Sequence, residues 1–209
     1  LKNPENQKPR KMLKYLKGVL SFINHRNVIV LFLISIFTFI ILYGSYLTYL
    51  PLILSERYNA EPWEIGLILS FGSLTTALTS PNLGRLSSHF SYKTLLLIAN
   101  GLYVVSMLII PGLGSLWINL IPAAVFGAAQ GINLPGTMTM LASSAPMEYR
   151  AAFMSVNGMV LRLGQTLGPV VTGTVYSMAG MSATFYTGAA FAVIMAAMLL
   201  LIIKKFVVE

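Results

Sequence analysis

Six long apolar runs, at about 28–54, 63–85, 94–110, 116–141, 151–178 and 183–203, limit this chain to very few architectures. Each is close to the ~20 residues that cover a bilayer's hydrocarbon as a helix. Between them lie short turn-forming stretches such as Ser55-Glu-Arg-Tyr-Asn59, Pro111-Gly-Leu-Gly114 and Met178-Ala-Gly-Met-Ser182. These are too short for a soluble domain. Only 10% of the 209 residues are charged and 56% are hydrophobic, whereas soluble domains run to roughly a quarter charged. The expectation is an all-α integral membrane protein with six transmembrane helices and the lipid bilayer as its first partner.

Charge orients the spans. Residues 1–26 form a basic segment in which Met12, Leu13, Leu16, Val19, Leu20 and Ile23 share one helical face, with Lys11, Lys14 and Lys17 opposite. That pattern predicts an interfacial amphipathic helix on a cytoplasmic linker, followed by a membrane bundle over 27–205. With residue 1 inside, Arg85, Lys93, Arg150, Lys204 and Lys205 also fall inside. Of the 14 basic residues only Arg57 falls outside, and only Arg162 lies within a span. The positive-inside rule then puts both termini in the cytoplasm of a multi-pass cell-membrane protein. The net charge of +8 reads as topology and anionic lipid rather than nucleic acid. The chain begins at Leu1 with no signal-peptide pattern, so a fragment or processed product is expected.

Polarity is spread unevenly over the spans. The first carries Tyr43, Tyr46 and Tyr49 at three-residue steps. The second has Ser70, Ser73, Ala77, Ser80 and Gly84 on one side; the fourth has Gln130, Asn133 and Thr137; the fifth has Asn157, Arg162 and Gln165. These four are expected to face a cavity, with Tyr43, Tyr46, Gln130, Asn133, Asn157, Arg162 and Gln165 as substrate-cavity or gate residues. The third and sixth, apart from Asn100 and Thr187, are expected to face lipid. Arg162 stands twelve residues into its span, roughly 18 Å deep. Two readings stay open for it: an anionic substrate or carboxylate partner, or a brace to Gln165 and backbone carbonyls. Gly164, Gly168 and Gly173 permit close helix approach, and Pro169 removes a backbone N–H, predicting a broken or bent helix there. Ser80-Pro-Asn-Leu-Gly84 in the second span matches this break, which reads the six spans as two inverted three-helix repeats.

The composition excludes several classes. There is no cysteine, His25 and His89 are far apart, and Glu5, Glu56, Glu61, Glu64, Glu148 and Glu209 all fall in tails or loops. No metal site, cofactor or enzymatic nucleophile is expected.

The loop Gly84-Arg-Leu-Ser-Ser-His-Phe-Ser-Tyr-Lys93 resembles the loop signature of the major facilitator superfamily. Gly84, Leu86 and Lys93 match, while Ser88, His89 and Ser91 replace the usual Asp, Arg and Gly; Arg85 occupies a variable place. Gly164-x-x-x-Gly168-Pro169-x-x-x-Gly173 resembles the family's Gly-Pro signature, and Phe126-Gly-Ala-Ala-Gln-Gly-Ile-Asn-Leu-Pro135 looks like a helix of its drug-exporter-like members. The resemblance implies one C-terminal six-helix half of a major-facilitator fold. It implies a secondary transporter moving a small molecule by alternating access, with efflux of drugs or metabolites as the leaning. The partner would be a second six-helix bundle, either an N-terminal half or another copy. The alternative is a non-transporting six-helix module or channel-like subunit that dimerises.

Overall fold

The computed structural model describes residues 25–201, and these are helices joined by short turns, without a strand among them. The first long rod begins as α1 (Arg26–Phe39), passes through a π-helical segment (Ile40–Tyr49) and finishes as α2 (Leu50–Tyr58). Then come α3 (Pro62–Thr79), a 3-10 turn (Ser80–Asn82), α4 (Leu83–Ser87) and α5 (Tyr92–Ile109). They are followed by α6 (Leu120–Ser144), α7 (Arg150–Ala179) and α8 (Met181–Leu201). Three rods are long and apolar enough to cross a membrane: Arg26–Tyr58, Tyr92–Gly112 and Met181–Leu201, with mean hydropathies of 2.6, 2.0 and 2.0. Of the basic segment 1–26 with its predicted amphipathic helix, residues 1–24 lie outside the described residues, as do Lys204 and Lys205.

Local chemistry sets the ends. At the start of α3, Glu61 and Glu64 form a capping box, so Glu64 belongs to the first helical turn rather than to a loop. Asn59 takes the left-handed conformation (φ 51°) that closes α2, and Gly180 (φ 81°) closes α7 with its N–H on the Tyr176 carbonyl. Ser91 caps α5 by accepting the Thr94 N–H at 3.2 Å. Ser91→Ala should lower thermal stability by about 1 kcal/mol, read as a shift in unfolding midpoint of the purified protein. An unchanged midpoint would mean that packing alone holds this end.

α6 runs through the middle of the bundle. It packs against α3 on one side, α5 on another, and α1 behind, while α8 lies on α5 and the π segment and α7 lies on α1 and the π segment. Glycines decide the two closest crossings. A Cβ on Gly127 of α6 would sit 2.1 Å from the Gly72 carbonyl oxygen of α3, and one on Gly164 of α7 would sit 2.6 Å from the Ile36 carbonyl oxygen of α1. At such crossings dispersion between backbones replaces side-chain interdigitation.

Several expectations are corrected here. α7 runs unbroken through Gly168-Pro169, so no helix break lies there. The exposed Pro169 leaves the turns on either side supported, by Thr166 Oγ1 to the Arg162 carbonyl at 3.0 Å and Thr172 Oγ1 to the Gly168 carbonyl at 2.9 Å. Gly164 and Gly168 are pinned on α1 and the π segment as well. Only the Ser80-Pro81 break is realised, as the 3-10 turn. The third and sixth rods are not simply lipid-facing. α5 buries Asn100, Tyr103 and Ser106, and α8 buries Thr184, while Ile98, Val105, Val193 and Ile194 point outward.

A hollow between the first, second and fourth rods

The π segment puts residues four and five apart on one face, where an α-helix would put three and four. Within it the Thr48 side chain also reaches back five residues, its Oγ1 donating to the Tyr43 carbonyl at 2.6 Å. Leu42, Tyr46 and Leu47 thereby come to one side. With Leu69, Gly72, Ser73 and Thr76 of α3, and Phe126 and Gln130 of α6, they line a hollow of about 250 Å³.

Aromatic stacking builds its wall. Tyr46 lies flat on Phe126, with ring centroids 3.9 Å apart and planes 1° from parallel. Tyr103 of α5 leans on the same Phe126 ring at 5.0 Å and 56°. The Tyr103 hydroxyl donates to Gln130 Oε1, and both residues are buried. Gly72 is small because Tyr46 occupies the space: a Cβ there would be 2.6 Å from the tyrosine oxygen. Thr76 Oγ1 donates to the Gly127 carbonyl at 2.9 Å and stitches α3 to α6 at the floor.

The seven residues expected to share a cavity separate into five places. Tyr46 and Gln130 meet in the hollow. Asn133, one turn beyond Gln130, faces away into the bundle and accepts from Thr38 Oγ1 at 3.0 Å. Asn157 is 2% exposed inside the packing of α7, and its Oδ1 is without a hydrogen-bond partner among the described residues. Arg162 and Gln165 hold each other on the exposed face of α7, Arg162 Nη1 donating to Gln165 Oε1 at 2.7 Å. Tyr43 is half-buried beside Phe39, centroids 5.5 Å apart. Tyr49 turns to Tyr176 at 5.4 Å, so the three tyrosines form no single stripe. The sequence reading missed Tyr103, Phe126 and Gly72. One signal for Tyr103 was available: it follows Asn100 by three residues, a polar pair on one face of an otherwise apolar helix.

The loop motif is a strut. Ser87 and Ser88 donate to the carbonyls of Gly84 and Arg85 at 2.9 and 2.7 Å. His89 Nδ1 lies 2.9 Å from Ser88 Oγ and 3.1 Å from the Arg85 carbonyl. Lys93 Nζ reaches the Leu200 carbonyl at 3.5 Å, a cation at the C-terminal end of α8, where the helix dipole favours it.

Among known proteins, the family model of the Major Facilitator Superfamily matches residues 3–207. No curated protein matches the chain.

Proposed function

Since this chain belongs to the Major Facilitator Superfamily and is therefore a membrane transporter, we propose that it forms one six-helix bundle of a secondary active transporter. Its two inverted three-helix repeats would be residues 26–112 and 117–201. A second six-helix bundle, from elsewhere in the same polypeptide or from another copy, faces it across a central pathway. Substrate binds near the midplane, and the two bundles rock to expose it to one side and then the other. Both termini are cytoplasmic and the cell membrane is the location, in keeping with the basic residues on one side of the spans. Efflux of drugs or small metabolites is the transport direction.

The observation that carries this reading is the hollow itself. It presents Gln130 and Tyr46 among leucine and phenylalanine walls, the mixture of broad apolar surface and few polar groups that small-molecule sites use. The faces beside it support a partner. α3 buries only Ile68 and Gly72, and leaves Phe71, Leu74 and Leu78 exposed. Met159, Leu163 and Val170 are exposed on α7. Among the described residues the acids, Glu56, Glu61, Glu64 and Glu148, lie at helix ends or in loops, so proton coupling would draw its carboxylate from the second bundle.

The test is accumulation of a panel of lipophilic fluorescent compounds in cells expressing the complete gene, against cells carrying an empty vector. Lower steady-state accumulation of some panel members is expected. Equal accumulation across the panel would remove the efflux reading.

A further inference from the structure

The hydrogen-bonding protons around the hollow are already allocated, and the allocation limits its ligand. Ser73 Oγ donates to the Leu69 carbonyl at 3.2 Å, and Thr76 Oγ1 to the Gly127 carbonyl at 2.9 Å. Each hydroxyl has one proton, so both are spent on backbone. Gln130 is a donor at one end of its amide and an acceptor at the other. Its acceptor end, Oε1, is held by the fully buried Tyr103 hydroxyl. The Nε2 end is therefore what Gln130 offers to the hollow. Flipping the amide would cost the Tyr103 hydroxyl its acceptor inside the bundle. Tyr46 lines the hollow with its ring, while its hydroxyl is buried against Gly72 of α3 and is not offered to the space. The remaining lining is Leu42, Leu47, Leu69, Phe126 and Gly72, and among the described residues no charged side chain borders the space.

We infer that this hollow binds a neutral, flat, mainly apolar molecule carrying a carbonyl-type acceptor, which receives a hydrogen bond from Gln130 Nε2. The Tyr46–Phe126 stack supplies a plane for the flat portion. Tyr103 is a positioning residue that keeps the amide donor end forward. The described lining offers a cation only donors and hydrocarbon, with no carboxylate to offset its desolvation, and so favours the neutral molecule. An anion finds donors without a countercharge, and Arg162 is not among the lining residues. That such a molecule is a transported substrate rests on the reading above; that it is bound does not.

The probes are three matched compounds: methyl naphthyl ketone, ethylnaphthalene lacking the acceptor, and naphthylethylammonium carrying a cation. Binding to the purified full-length protein in neutral-lipid nanodiscs is measured, with empty nanodiscs as the partition blank. The ketone should bind at least about fivefold tighter than the hydrocarbon, the range of a single net hydrogen bond, and tighter still than the ammonium. Ammonium binding equal to the ketone's, or no preference for ketone over hydrocarbon, overturns the assignment. The double variant Tyr103→Phe/Gln130→Leu removes both partners, so neither is left orphaned, and should abolish the ketone preference. A preference that survives in the folded double variant also overturns it. Transport of the same trio separates the two readings. Selective ketone binding with no movement of any compound keeps this site and rejects transport. Movement that favours the ammonium keeps transport and rejects this site.

Discussion

Gly127→Ala is expected to unseat α3 from α6 and leave little folded protein. The new methyl carbon would stand 2.1 Å from the Gly72 carbonyl oxygen, 2.9 Å from its carbon and 3.0 Å from Thr75 Cβ. The first two atoms are backbone, so no rotamer change relieves them, and the rods must separate. The crossing is tight over two turns: a Cβ on Gly131 would likewise be 2.9 Å from the Thr76 carbonyl oxygen. Separation also breaks the Thr76–Gly127 hydrogen bond and spreads the walls of the hollow. Overpacking of this kind costs about 1–3 kcal/mol, and the lost bond adds about 1 kcal/mol. The sum is a large share of a typical domain's marginal stability. Gly158→Ala is the control: nothing lies within 4 Å of its would-be Cβ, and alanine is the better helix former. The comparison is the monodisperse yield and unfolding midpoint of both variants after extraction. A Gly127→Ala protein as stable as the parent would mean that this backbone contact is not what joins the two helices.

That crossing was partly legible in the sequence. Small residues at 127 and 131 of an apolar run announce close approach, although they do not say which helix comes close. The three membrane-crossing rods, Arg26–Tyr58, Tyr92–Gly112 and Met181–Leu201, were legible too, because apolarity over about twenty residues is a cumulative signal that single substitutions barely disturb. The π segment was not. An i+5 hydrogen-bond register leaves no side-chain signature, and here it accompanies a tertiary contact: a Cβ on Gly44 would be 2.8 Å from the Gly168 carbonyl oxygen of α7. Reading Tyr43, Tyr46 and Tyr49 with α-helical spacing therefore gave a stripe where the structure sends the rings to Phe39, Phe126 and Tyr176. Pro169 failed in the opposite sense. Its local rule is sound, but packing of Gly164 and Gly168 on the first rod holds the helix through it. For the site, residue type found Tyr46 and Gln130. It could not find Tyr103, whose role exists only because α5 is folded behind α6.

On the proposed transport reading, Arg162→Leu is expected to leave the fold intact and reduce transport at least about tenfold, the factor for losing a hydrogen bond to a charged group at about 1.5–3 kcal/mol. The guanidinium stands twelve residues beyond Arg150, roughly 18 Å along α7, where hydrocarbon would make an unpaired cation costly. Its bond to Gln165 Oε1 at 2.7 Å occupies one of five donors. The side chain is on an exposed face, so in the proposed arrangement its further acceptors would be the second bundle, substrate or water in the pathway. Removing it subtracts nothing from the packed core, and the unfolding midpoint should move by no more than about 0.5 kcal/mol. Arg162→Lys keeps the charge but not the planar fork, and should retain only part of the activity. Gln165→Leu separates the roles, because it deletes the internal bond alone. If Gln165→Leu lowers transport as far as Arg162→Leu does, the arginine works as a brace within α7. If only the arginine variants lose transport, its acceptor lies across the pathway. Wild-type transport by Arg162→Leu would make this charge dispensable and place the exposed face of α7 outside the translocation path.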